Sequence, residues 1–147
     1  MPDHPGEFRL LVAGSRTWMD AARFAFALGE ATGEAMKAGH PMSEIVIIHG
    51  ACPKGADAMA ERLARDYRLR TEPHPADWDT HGKRAGFIRN EAMVSLGADL
   101  ALAFIMPCLL PSCRDRKPHG THGASHCARL AERAGITVRR VTGDQGS

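Results

Sequence analysis

Cys108, Cys113 and Cys127 fall within twenty residues, and His119, His122 and His126 fall in the same stretch. Inside it, Cys108-x4-Cys113-x5-His119-x2-His122 brings four zinc-competent side chains into fifteen residues, with His126 and Cys127 as spares. Two thiolates and two imidazoles make a tetrahedral structural zinc site. Pro107, Pro111 and Pro118 stiffen the segment, which is longer than a strand-to-helix connection needs to be, and a metal would account for that length. The spacings are looser than Cys-x2-Cys, however, and Arg114, Arg116 and Lys117 equally suit a loop that grips anions. Residues 107–123 therefore read first as an ordered, metal-free loop, with structural zinc on Cys108, Cys113, His119 and His122 as the alternative. No other cofactor is indicated. Loss of a metal there is expected to leave the loops after the first two strands undisturbed.

Two further loops have the chemistry of anion binding. In Gly14-Ser15-Arg16-Thr17-Trp18, glycine lets a ligand approach the backbone, two residues offer hydroxyls, and Arg16 offers a planar fork for phosphate or carboxylate. A plain turn with a surface arginine is an equal reading. In residues 49–57, Gly50 and Gly55 have P-loop spacing, but Ala56-Asp57 stands where Lys-Ser/Thr would be. Nucleotide triphosphate hydrolysis is excluded, since the side chains for the outer phosphates and magnesium are missing. Helix amides there can still meet an anion, and Asp57 reads either as a ribose ligand or as a favourable first-turn charge. Arg89 and Asn90 lie on a later helix, where an arginine taken alone is an ordinary surface residue.

The elements that position these loops follow from hydrophobic periodicity. Residues 8–13 and 44–48 are short apolar runs ending at Gly14 and at His49-Gly50, and 99–105 is a third such run. Residues 69–72 and 136–141 are weaker strands. Asp20 caps a helix with Phe24, Leu28, Ala31 and Ala35 on one stripe, closed by Gly39 and Pro41. Further helices are expected over 56–67, with Met59, Leu63 and Tyr67 on the stripe, over 84–96, and from about 125 to 134. Residues 73–81, with Asp77 and Trp78, read as a loop, and the tail from Gly143 as frayed.

Strands that are apolar on both faces and alternate with helices predict an α/β, Rossmann-like, three-layer α/β/α fold with a five-stranded, mostly parallel sheet. Ligands bind such sheets at the carboxyl edge, where the strand order reverses. A length of 147 residues fits one domain over 1–147, with its core at about 8–141. A net charge of +2 does not argue for nucleic acid, and no run is long enough to cross a membrane. With no export signal at the N-terminus, a cytoplasmic location and reduced thiols are expected.

The string Gly14-Ser15-Arg16, His49-Gly50, Gly55-Ala56-Asp57, Pro75-Ala76-Asp77-Trp78, His81-Gly82, Ala85-Gly86 and Arg89-Asn90 resembles the YspA-like branch of the SLOG superfamily. The resemblance runs from about Phe8 to Val141, through Ala131-Glu132-Arg133-Ala134-Gly135-Ile136-Thr137-Val138. That superfamily includes the LOG phosphoribohydrolases, the DNA-processing protein DprA, and modified Rossmann domains proposed to sense nucleotide-derived ligands. The resemblance implies a ligand edge built from Gly14, Ser15, Arg16, Gly50, Gly55, Ala56, Asp57, Arg89, Asn90, Gly120, Thr121 and Gly123. In LOG enzymes an arginine on the third helix and a glutamate after a Gly-Thr turn act on the N-glycosidic bond. Arg89 looks like that arginine. The turn is either Gly120-Thr121, which puts Ala124 at the glutamate position, or Gly123-Ala124, which puts Cys127 there. Neither supplies the carboxylate that glycoside chemistry needs.

The leading expectation is thus a nucleotide or nucleotide-derived phosphate ligand, bound by a sensor or carrier with no catalytic pair. A LOG-like phosphoribohydrolase using Arg89, with Asp57, Asp77 or Asp79 replacing the glutamate, is the first alternative. A DprA-like nucleic-acid accessory protein with Arg114, Arg116 and Lys117 at the contact is the second. The expected partner is a nucleotide-like small molecule, neither membrane nor nucleic acid, and a homodimer stays open.

Overall fold

The computed structural model describes residues 6–113 and 120–143. Five strands, β1 (Phe8–Gly14), β2 (Ile45–His49), β3 (Arg70–Pro73), β4 (Leu100–Ile105) and β5 (Val138–Thr142), form one sheet in the order β3-β2-β1-β4-β5. Every neighbouring pair is parallel, so the sheet is wholly rather than mostly parallel. The order reverses between β1 and β4.

The central strands have the apolar composition that burial on two faces demands. All residues of β2 and β4 are buried. On one face Leu10, Val12, Ile45, Ile47, Leu102 and Phe104 pack under α1 (Ala21–Lys37) and α2 (Gly55–Asp66). On the other, Leu11, Val46, Ile48 and Ala101 meet Met93, Val94, Cys127 and Ala131 of α4 (Ala85–Ser95) and α5 (His122–Arg133). The outer strands β3 and β5 carry Arg70, Glu72, Arg139 and Arg140, which blunt their edges against pairing with another chain.

Three expectations need correcting. The buried stripe of α2 is Ala56, Asp57, Ala60 and Ala64, while Tyr67 is exposed. Small residues are used because α2 lies close on the sheet, where a Cβ at Gly14 would overlap the Cβ of Ala56. Within the expected loop 73–81, Trp78–His81 is a single helical turn, α3, capped by the Asp77 carboxylate on the Thr80 amide at 3.1 Å. Of the tail expected to fray, Gly143 is buried, and residues 144–147 lie outside the described residues. The Gly143 amide donates to the Ile105 carbonyl at 2.9 Å, beside Trp18. Among the described residues no helix is long and apolar enough to cross a membrane.

Candidate functional site

The loop after β1 turns on Ser15, which is buried although it is polar. Its amide donates to the Phe104 carbonyl at 2.9 Å, so the turn is tied to β4 across the point of reversal. Its Oγ accepts from the Met106 amide at 2.9 Å and shares a hydrogen bond with the Thr121 hydroxyl. Its carbonyl accepts from the amides of Trp18 at 3.1 Å and Ala56 at 3.3 Å. One serine thus joins the start of α2 to the residue preceding α5. Gly55 makes this approach feasible: it sits at φ +71°, and a Cβ there would strike the Ser15 carbonyl and the Arg16 backbone. Trp18 is buried edge-on against Phe104 and anchors the loop from below.

Arg16 is exposed, with its guanidinium 5.3 Å from the ring centre of Trp78. The sequence gives no sign of this pairing, because Trp78 belongs to α3, on the far side of β2. The Trp78 ring lies over the start of α4, where a Cβ at Gly86 would be in ordinary contact with it at 3.6 Å.

The loop after β2 is built around two buried polar groups. His49 Nδ1 accepts from the Ala51 amide at 3.0 Å, which leaves the proton on Nε2, donated to Glu61 at 2.6 Å. Asp57 accepts from the Cys52 amide at 3.2 Å. Burial pushes its carboxyl above the usual range, against the opposing pull of that amide and of nearby His49 and Arg89. Arg89 is half-buried and folded under the loop. It donates to the Gly50 carbonyl, to the His74 carbonyl at 3.4 Å and to the Asn90 side chain at 2.9 Å. A Cβ at Gly50 would collide with the Arg89 guanidinium and stand 3.0 Å from an Asp57 oxygen. Arg89 and Asp57 therefore flank Gly50, and a cleft of about 490 Å³ opens beside them, lined by His49, Cys52, Asp57, Glu61, Arg62 and Arg65.

Three of the long helices that begin at this edge, α2, α4 and α5, lack a side-chain cap. Asp20 caps α1 by accepting from the Arg23 amide at 3.0 Å. Lys54 before α2 and Thr121 before α5 form no such bond. Apart from Ala56, whose amide is taken by the Ser15 carbonyl, the first-turn amides and the dipoles of α2 and α5 can meet another acceptor. Gly123, in the first turn of α5, has open space where a Cβ would be.

The connection from β4 to α5 is closed at its neck by an antiparallel bridge between Pro107 and Gly120, with the Thr121 amide donating to the Met106 carbonyl at 2.9 Å. Gly120 is required there, since a Cβ would overlap the side chain of Ile105. Of the expected zinc ligands, Cys108, Cys113 and His122 come together, their ligand atoms all within 4.8 Å of one another. His119 lies outside the described residues, as do Arg114, Arg116 and Lys117. The spares lie elsewhere: His126 packs against Phe87 and is 3.3 Å from the Asn90 amide nitrogen, and Cys127 is buried under the sheet. The cluster sits beside the ligand loops. His122 directly follows Thr121, whose hydroxyl is bonded to Ser15.

The profile of the YspA, cpYpsA-related SLOG family (YAcAr) matches residues 8–81, from β1 through α3. The Gene 61 protein of Mycobacterium phage D29 is 37% identical over 136 residues, spanning 88% of this chain and 93% of that protein. The chain belongs to the YspA, cpYpsA-related SLOG family. No solved structure matches it.

In this SLOG protein α5 begins at His122, which makes Gly120-Thr121 the turn in front of the helix. Ala124, in the first turn of that helix, is buried. One turn on, Cys127 lies close enough to Arg89 and Asp57 to feel their charges, but burial pushes its thiol up to about 12. A neutral thiol cannot replace a carboxylate at an anomeric centre.

Proposed function

We propose that the carboxyl edge of the sheet binds a nucleotide or nucleotide-derived phosphate ester, as a sensor or carrier domain does. One observation carries this reading: the uncapped N-termini of α2 and α5 converge on Ser15 at the strand reversal, with exposed Arg16 beside them. Two helix dipoles with spare amides and one guanidinium suit a phosphate dianion. The exposed Trp78 ring beside Arg16 offers an apolar surface to a sugar or base. Membership of the SLOG family supports the same class of ligand.

A thermal-shift panel of nucleoside mono- and diphosphates, ADP-ribose and ribose 5-phosphate tests the proposal. Phosphate esters should stabilise the protein, and Arg16→Ala should abolish the effect; a ligand at 100 times its Kd adds about 2.7 kcal/mol. Unchanged melting across the panel would refute it.

Phosphoribohydrolase activity is the second reading, favoured by one feature: Asp57, buried with a raised pKa, flanks Gly50 opposite Arg89. Its carboxylate is engaged by the Cys52 amide, and neither Ala124 nor Cys127 adds a second carboxyl. Incubation with AMP should release no free adenine. Turnover that vanishes in Arg89→Ala would reverse the order of the two readings.

A further inference from the structure

We infer that Cys108, Cys113 and His122 are the ligands of a zinc ion that clamps the neck of the β4–α5 connection. The inference is independent of what the sheet edge binds. In a tetrahedral site with Zn–S near 2.3 Å and Zn–N near 2.0 Å, sulfur and nitrogen stand roughly 3.5 Å apart and two sulfurs roughly 3.8 Å. The His122 Nε2 lies 3.5 Å from the Cys108 Sγ and 3.4 Å from the Cys113 Sγ, and all three ligand atoms fall within 4.8 Å of one another. Both sulfur–nitrogen separations thus match those of one coordination tetrahedron, and the two sulfurs are near enough to share it. The same imidazole nitrogen faces both sulfurs, as shared coordination requires.

The donor chemistry selects the metal. Thiolate and imidazole favour zinc over magnesium or calcium, which take oxygen ligands. Binding converts both thiols to thiolates and releases their two protons to solvent. The ligands come from the two sides of a closed neck: Cys108 follows Pro107, His122 follows Gly120 by two residues, and Pro107 bridges Gly120. Cys113 reaches back from the loop, where its amide already donates to the Leu110 carbonyl at 3.1 Å. Metal at this point would cross-link both sides of the neck and hold Thr121 against Ser15.

The test uses untagged, full-length, reduced protein. After gel filtration in metal-buffered solution, elemental analysis should find one zinc per chain. Replacement by cobalt should produce a thiolate-to-cobalt charge-transfer band in the near ultraviolet, with intense visible bands of tetrahedral cobalt. Cys113→Ser and His122→Ala should each lose metal affinity by at least about tenfold, a loss already seen when only an outer-shell partner is removed. Cys52→Ser, altered on a different loop, should keep both metal and spectrum. If a ligand variant fails to fold, the cobalt spectra of wild type and Cys52→Ser still decide. Reduced wild-type protein without a cobalt–thiolate band overturns the inference. So does metal retained undiminished in both folded ligand variants, or a native Cys108–Cys113 disulfide in protein that binds no metal.

Discussion

Replacing Ser15 with alanine removes the one hydroxyl that joins the β1 turn, the β4 end and the start of α5. The Met106 amide loses its acceptor at 2.9 Å beside buried Ser15, and a donor left there without a partner costs about 1–3 kcal/mol. The Thr121 hydroxyl also loses its partner, but it is half-buried and can recruit water, so its loss adds little. A total of about 2 kcal/mol is expected, which for a chain of this size lowers Tm by roughly 4–8 °C. Thr121→Val alone leaves the Met106 bond intact and should cost about 0.5–1.5 kcal/mol. Because both substitutions break the same contact, the double variant should be less destabilised than the sum, by about 0.5–1 kcal/mol. Denaturant unfolding of the four proteins, with m-values held constant, measures that coupling. A loss below about 0.5 kcal/mol in Ser15→Ala, or strict additivity, would refute the claim that Ser15 ties the edge together.

Two other expectations follow from charge and burial. The Arg9 guanidinium, bonded to Glu72 at 2.9 and 3.1 Å, holds the Glu72 carboxyl at about 2, below its ordinary 4.5. A depressed carboxyl stabilises the native state above pH 4.5, and that contribution is lost as pH falls from 4.5 towards 2. Glu72→Gln should therefore flatten this part of the acid stability profile, and a profile indifferent to the substitution would contradict the assignment. Cys127, with its thiol pushed up to about 12, should resist thiol reagents in native protein at neutral pH, whereas half-buried Cys52 reacts. Equal labelling of the two, read by peptide mass spectrometry, would mean that α5 does not seal Cys127 against the sheet.

The parts of the fold that burial dictates could be read from the sequence. β1, β2 and β4 are apolar on both faces because helices cover both, and the stripe Phe24, Leu28, Ala31, Ala35 of α1 is buried as its spacing requires. On α2, Met59 and Leu63 pack half-buried against the core as their spacing implies, but Tyr67 is exposed and the fully buried positions are small. The close approach at Gly14 reserves that place for alanines, a constraint set by a strand some forty residues away. The turn α3 had a readable signal in Asp77-x-x-Thr80, an N-cap spacing hidden in a proline-rich stretch.

The candidate site was legible as loops and not as contacts. Gly14, Gly50, Gly55 and Gly120 are each required by a close approach, as small residues in such loops imply. Arg16 over Trp78, Ser15 on Thr121, and His49 on Glu61 join residues that share no sequence pattern. Only the chain's three-dimensional path brings them together. The sequence places the cysteine–histidine segment beside the ligand edge, but the hydrogen bond that joins the two spans more than a hundred residues and leaves no trace in local composition.

Binding of a phosphate ester by Arg16 and the N-termini of α2 and α5, at one edge of the sheet, can be read residue by residue. A titration of isotope-labelled protein with AMP, followed by amide proton–nitrogen correlation spectra, tests it most directly. Saturable shifts are expected in the first turns of α2 and α5, from Gly55 and from His122 onward, and in the Arg16 loop. Those shifts should be absent in Arg16→Ala. Spectra unchanged by AMP, or shifts gathered instead at the opposite edge around Gly97 and Gly135, would contradict it.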